Sequence, residues 1–169
     1  VRYGGQCSRR QVHGAIAPGM SNDIAKQVHA TCVSFYGAGL IIRGPSGVGK
    51  SDLALRLIDR GARLVADDRV DLLVSDNGVI ARAPETLAGL LEVRGLGILR
   101  VPVLEATVVR LVVDLVDHEN VPRLPDRRMT DLIGMDVPAV TLDPFEASAV
   151  TKVRLALELT LGRIMRHDD

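Results

Sequence analysis

The chain has 169 residues, 47% of them apolar and 25% charged, and its 21 basic and 21 acidic side chains cancel to a formal net charge of zero. That size suits one α/β domain with a substantial core. The charge balance and an aromatic content of 2%, with no tryptophan, exclude a broadly basic, base-stacking nucleic-acid surface. The longest apolar-leaning stretch, 30–42, is broken by Ser34, Gly37 and Gly39 and is too short to span a bilayer. Cys7 and Cys32 lie far apart with no Cys-x-x-Cys pair, which excludes a zinc knot and a disulfide framework and fits a reducing cytoplasm.

Residues 1–22 carry Gly, Arg and Ser without period and read as a disordered tail, with Met20 as an alternative start. The Arg9-Arg10 pair is followed by His13, Gly14 and Pro18 rather than an apolar run, so an export signal is not expected. One catalytic domain is expected over 23–166. Residues 24–44 read as two short strands joined at Tyr36-Gly37-Ala38-Gly39, the second over 39–43. Apolar residues at 53, 54, 57 and 58 predict a helix over 50–61, stopped by Gly61. A buried strand over 62–68 ends in Asp67-Asp68, and 69–84 reads as a hairpin turning at Asp76-Asn77-Gly78. Residues 84–101 suggest a short helix and then a loop or strand bearing Glu92 and Arg94, and 106–116 is a strong strand. The polar, proline-rich stretch 117–138 reads as a mobile surface loop. A last strand over 139–143 leads through Asp143-Pro144, read as N-cap and first turn, into a helix over 145–166 with Val150, Val153, Leu157, Leu161 and Ile164 on one face.

The stretch 44–51, Gly44-Pro45-Ser46-Gly47-Val48-Gly49-Lys50-Ser51, fits the phosphate-binding loop G-x-x-x-x-G-K-[ST]. Glycines let backbone N–H groups converge on an anion, and the helix that follows aims its positive end at the same point. Lys50 would reach the β/γ-phosphates, and the Ser51 hydroxyl would ligate magnesium. A strand before the loop and a helix after it supply the context the motif needs.

Such a loop serves many reactions, so the carboxylates must discriminate. Helix out and strand back return Asp67-Asp68 to the phosphate edge of the sheet. Neighbouring carboxylates on a strand face opposite ways and can divide two tasks, one on the metal and one accepting a proton. Glu92 and Arg94 share parity, so in an extended segment they project to one face as a second metal ligand and a phosphate-neutralising cation. On composition alone the pair also reads as a surface ion pair. His29, at the start of the strand before the glycine loop, is by itself most simply a satisfied surface histidine.

In combination the glycine loop, the Ala-Asp-Asp strand end and Leu91-Glu92-Val93-Arg94-Gly95-Leu96-Gly97-Ile98 resemble the catalytic domain of HPr kinase/phosphorylase. The resemblance runs from about Val28 to Arg163, including 131–144 more weakly. It implies a P-loop α/β domain with a central mixed sheet, a glycine-loop helix on one face, a hairpin extension and a C-terminal packing helix. It implies a magnesium-dependent serine kinase that uses ATP, with pyrophosphate as an alternative donor, and an HPr-like phosphocarrier as protein partner, with no nucleic acid and no membrane. Family members form hexamers, so a homo-oligomer is implied. Residues 44–51 match the nucleotide-binding loop and Ser51 a metal position. Asp67 matches the catalytic carboxylate, Asp68 and Glu92 acidic metal positions, and Arg94 a phosphate-facing arginine. His29 matches a histidine beside the active site.

The chain departs from that pattern in places. Ala30 replaces the usual glycine, and longer members carry an N-terminal domain where this chain has a short tail. The 117–138 loop is shortened, which makes Arg127, before Arg123, the candidate for a catalytic arginine. Residues 142–148 lack the Pro-Gly-Arg-Asn-type turn associated with phosphorolysis, which favours kinase over phosphorylase activity. The short form resembles alphaproteobacterial versions whose partner serves a regulatory phosphotransfer system. A P-loop kinase for a small molecule and a non-catalytic nucleotide-binding module are the alternatives.

Overall fold

A computed structural model describes residues 26–167. The tail expected over 1–22 lies outside the described residues, as do Cys7 and Met20. The elements are β1 (Lys26–His29), β2 (Thr31–Phe35), β3 (Ala38–Arg43), α1 (Lys50–Asp59), β4 (Arg63–Ala66), β5 (Arg69–Ser75), β6 (Gly78–Arg82), β7 (Leu90–Val93), β8 (Gly97–Arg100), β9 (Ala106–Leu115), β10 (Arg128–Leu132), β11 (Met135–Leu142) and α2 (Ala149–Thr160). Among the described residues nine strands form one mixed sheet in the order β1-β5-β6-β9-β3-β2-β4, with β11 joined to β9 and β10 outside β11, while β7 and β8 form a separate hairpin.

β9 is the branch point of the sheet. β3 runs parallel along one edge. The other edge is shared: β6 takes 106–108 antiparallel, and β11 takes 112–115 in parallel. β3 skips Arg110, pairing Gly39 with Val109 and Leu40 with Leu111. This irregularity brings the two backbones so close that a Cβ on Gly39 would lie 2.7 Å from the Val108 carbonyl oxygen, so the position admits only glycine.

Apolar side chains fill both faces. On one, Leu40, Ile42, Leu111 and Val113 pack against Leu53, Ala54 and Leu57 of α1 and Ala149, Val153 and Leu157 of α2. On the other, Ile41, Val70, Leu72, Val109 and Val112 form a second layer as β5, β6 and the β10–β11 hairpin curl over the sheet. The core is aliphatic, as composition requires, and α1 buries its predicted stripe through Leu57. At Gly61, φ is +97°, the left-handed turn that ends the helix segment.

Several boundaries differ from the sequence reading. The stretch before Tyr36 is two strands, because the chain changes partner at buried Ala30: β1 pairs with β5, and β2 with β3 and β4. The supposed mobile loop 117–138 is half a hairpin, β10–β11, whose Leu132 and Val137 join the second core layer. Its prolines and charges hid an alternation in which Pro138 precedes the first pair made with β9. The short helix near residue 85 is a single 3₁₀ turn, Glu85–Leu87. The last helix is shorter than expected, with Ser148 at its N-cap. The Asp143 side chain instead accepts the Phe145 N–H at 2.9 Å, closing a turn before the helix. Among the described residues no helix is long and apolar enough to cross a membrane.

Candidate active site

The glycine loop occupies 44–49, between the end of β3 and the start of α1. Gly49 caps α1 with φ +104° and ψ +20°, and among the described residues no side-chain hydrogen bond caps the helix. The first amides of the helix are therefore open to an external anion, and the helix dipole adds positive potential there. A Cβ at Gly49 would sit 3.1 Å from the Phe145 ring and 3.4 Å from Pro144, so the turn after β11 closes on the loop. That turn is tied down by polar contacts: His118 Nδ1 lies 3.5 Å from Asp143 Oδ2 and 3.2 Å from Glu146 Oε1, and Lys152 forms an ion pair with Glu146. The Lys152 hydrogen bond holds the Glu146 carboxyl below the usual range.

Lys50 is buried at 7% exposure and donates from Nζ to the carbonyls of Gly44 at 3.0 Å and Pro45 at 2.9 Å. Burial pulls its ammonium below the ordinary lysine range, and the Asp67 and Asp68 carboxylates oppose that pull. The Lys50 amine is thus held across the loop by two backbone carbonyls.

The two aspartates lie just beyond β4 and have different surroundings. Asp67 is buried. Its Oδ1 accepts from the Thr31 hydroxyl at 2.7 Å, its two oxygens lie 3.0 and 3.1 Å from Ser51 Oγ, and Oδ2 accepts weakly from the Glu92 N–H at 3.4 Å. Asp68 is exposed and adopts φ +67°, a left-handed conformation that aspartate tolerates better than most residues and that recurs at functional sites. Its Oδ1 lies 3.1 Å from His29 Nδ1, which also sits 2.9 Å from the Asp68 carbonyl oxygen.

The β7–β8 hairpin supplies the remaining wall. Leu91 and Val93 point into the core, which turns Glu92 outward. Arg94 lies in the turn after β7 rather than on a strand, so parity does not relate it to Glu92. Both still line one open cleft of about 470 Å³, together with His29, Ser51, Asp67 and Asp68. Ser46, Gly47, Gly49 and Lys50 line it as well.

The family model for the HPr Serine kinase C-terminal domain matches residues 22–156. The chain belongs to that family. It is 40% identical over 129 residues to the HPr kinase/phosphorylase of Lactobacillus johnsonii, covering 69% of this chain and 40% of the relative. It is 49% identical over 78 residues to that of Clostridium acetobutylicum, covering 46% of this chain and 26% of the relative. The chain thus spans less than half the length of these curated relatives. A solved structure of the Hpr(Ser) kinase/phosphatase from Coxiella burnetii superposes with a TM-score of 0.68 at 32% identity, covering 79% of this chain and 99% of that one. The mixed α/β architecture expected from sequence is the fold of this family.

Of the residues singled out from sequence, the cleft gathers His29, Ser46, Gly47, Gly49, Lys50, Ser51, Asp67, Asp68, Glu92 and Arg94. Gly44 and Pro45 contribute carbonyls to Lys50, and the Val48 side chain packs back against Gly44. Arg127 does not join them. It lines a second concavity between the β10–β11 hairpin and α2, with Arg128, Pro138 and Thr160. The segment before β10 starts beside the turn after β11, where His118 meets Asp143 and Glu146, and Arg123 is exposed on it. Sequence reasoning missed Thr31 and Phe145. Neither belongs to a phosphate-binding motif, and only the pairing of β2 with β4 and the turn after β11 bring them in. Cys32 is free and buried, and burial pushes its thiol far above the usual range, so it is no nucleophile here.

The donor set suits magnesium. The Ser51 hydroxyl and the Asp67 carboxylate already touch, Glu92 stands in the same cleft, and all are hard oxygen ligands beside a phosphate-binding loop.

Proposed function

We propose that this domain transfers the terminal phosphoryl group of ATP, with pyrophosphate as an alternative donor, to a serine hydroxyl of an HPr-like phosphocarrier protein. The observation that carries the reading is the convergence, in one open cleft, of the glycine-loop amides, Lys50, the Ser51–Asp67 contact and the Asp68–His29 pair. Family membership sets the reaction class. The breadth of the mouth, with Ser46, Gly47, Asp68, Glu92 and Arg94 all exposed, favours a protein substrate over an enclosed metabolite.

In this reading the amides at the start of α1 and the Lys50 ammonium hold the donor phosphates. Ser51 and Asp67, with Glu92, would hold magnesium, which supplies charge neutralisation to the polyphosphate when bound. The family resemblance pointed to Asp67 as the base and Asp68 as a metal ligand. The surroundings argue for the exchange. Asp67 is occupied by Ser51, Thr31 and the Glu92 amide, whereas Asp68 faces the open mouth. Asp68 takes the serine proton as the serine oxygen bonds to phosphorus and the bridging P–O bond breaks to release ADP. His29 orients Asp68 from 3.1 Å. Arg94 offsets the charge that spreads over the transferred group. The forward reaction is the one proposed, because residues 142–148 contain no arginine to serve phosphate attack on a phosphoserine.

The test is direct. The purified chain, ATP, magnesium and the HPr homologue of the same organism should yield phosphoserine on the carrier. No phosphate on the carrier with any donor or divalent metal overturns the reading.

A further inference from the structure

We infer that Thr31 is a positioning residue: it fixes the Asp67 carboxylate in the orientation that meets Ser51, and so sets the affinity of the cleft for its divalent cation. The inference rests on the reading of Ser51 and Asp67 as the cation-holding pair.

The pairing of β2 with β4 creates the contact. The register is Cys32 against Ala66, then Val33 against Leu64 and Ser34 against Arg63, so one residue of β4, Val65, is skipped. Continued one step toward the cleft, the Cys32–Ala66 register sets Thr31 opposite Asp67. Residues directly opposite on antiparallel strands project to the same face. Had the register of Val33 and Ser34 run on unbroken, Asp67 would instead oppose Ala30, which has no polar side chain. The irregularity is what gives the aspartate a hydroxyl neighbour.

The chemistry of the contact is equally specific. Thr31 is wholly buried, and its hydroxyl has one proton to give, which it donates to Asp67 Oδ1 at 2.7 Å. A short bond to an ionised acceptor is of the strong, charge-assisted kind. Ser51 also carries one proton, shared between Oδ1 and Oδ2 at 3.0 and 3.1 Å. Oδ1 is anchored by Thr31, while Oδ2 has only its share of the Ser51 proton and the weak Glu92 amide contact, so the carboxylate cannot turn about its Cβ–Cγ bond without breaking the Thr31 bond. Removing that hydroxyl leaves only Ser51 and the weak Glu92 amide to resist the rotation, while the glycine loop stays in place. Partners of metal ligands commonly set affinity in this indirect way.

Thr31→Val keeps the branched shape and removes the hydroxyl, and Thr31→Ser keeps the hydroxyl and removes a methyl. Manganese binding is titrated by electron paramagnetic resonance on the full chain with a non-hydrolysable ATP analogue, and analogue affinity is measured without metal. Thr31→Val should weaken manganese binding by about 10- to 100-fold, leave metal-free analogue binding unchanged, and regain most of the loss as Thr31→Ser. Unchanged manganese affinity in Thr31→Val overturns the inference. So does a parallel loss of metal-free analogue binding that the serine variant fails to restore, since that is the signature of a packing defect. The readout needs no phosphoryl transfer. Failure to phosphorylate the carrier would sink the proposed function, yet leave a Thr31-dependent cation affinity standing.

Discussion

Gly49→Ala tests whether the glycine loop is built as described. Gly49 sits at φ +104°, and holding a residue with a Cβ in the left-handed region costs about 1–2 kcal/mol. Restricting the unfolded chain returns about 0.4–1 kcal/mol of that. The new methyl also meets the Phe145 ring at 3.1 Å, but that ring is 69% exposed and can move aside, so the contact adds little. The net destabilisation is about 1 kcal/mol, or a melting temperature lower by about 2–4 °C in a domain of this size. The functional cost is larger, because the methyl stands at the anion-facing end of α1. Affinity for a fluorescent ATP analogue should fall on the order of 10-fold, about 1.4 kcal/mol. Thermal melting by circular dichroism and fluorescence titration read the two effects separately. Adding Phe145→Ala removes the ring but not the backbone strain, so the double variant should keep most of the melting-temperature deficit. A Gly49→Ala protein with unchanged melting temperature and unchanged nucleotide affinity would refute the reasoning.

Leu57→Ala empties a fully buried site between α1 and the sheet, and should cost about 2–5 kcal/mol with a clear drop in the denaturation midpoint. Asp114 bonds Arg43 at 2.8 Å and also pairs with Arg128. Burial pushes its carboxyl up, but the hydrogen bonds and charges of the two arginines outweigh that and leave it below the usual range. A depressed carboxylate stabilises the fold above its unfolded value of about 4 and loses that contribution as pH falls through the folded value. Asp114→Asn should therefore be less stable than the parent near neutrality, with the gap closing only under acid conditions, as read by denaturant melts across pH.

The parts legible in the sequence were those set by local chemistry. The glycine loop, the α1 stripe ending at Gly61 and the hairpin of β5 and β6 each follow from a short pattern. Asp67 and Asp68 were brought to the phosphate edge by counting one helix and one strand. What the sequence hid depends on partners far along the chain. The split between β1 and β2 at Ala30 arises because β5 claims the first part and β3 and β4 the second. The β10–β11 hairpin was masked by Pro138 and by charges that lie on its exposed face. Arg127 was drawn to the site by a family pattern, whereas the fold of that hairpin sends it to another concavity. The different surroundings of Asp67 and Asp68 could not be read from alternation, since Asp68 leaves the extended run at φ +67°.

The division of labour between those two aspartates is tested most directly by comparing Asp67→Asn and Asp68→Asn for phosphate transfer from ATP to the HPr homologue and for manganese binding. The account predicts that Asp68→Asn abolishes transfer while manganese binding persists, and that Asp67→Asn loses manganese affinity together with transfer. An Asp68→Asn protein that still phosphorylates the carrier at the parent rate would contradict it.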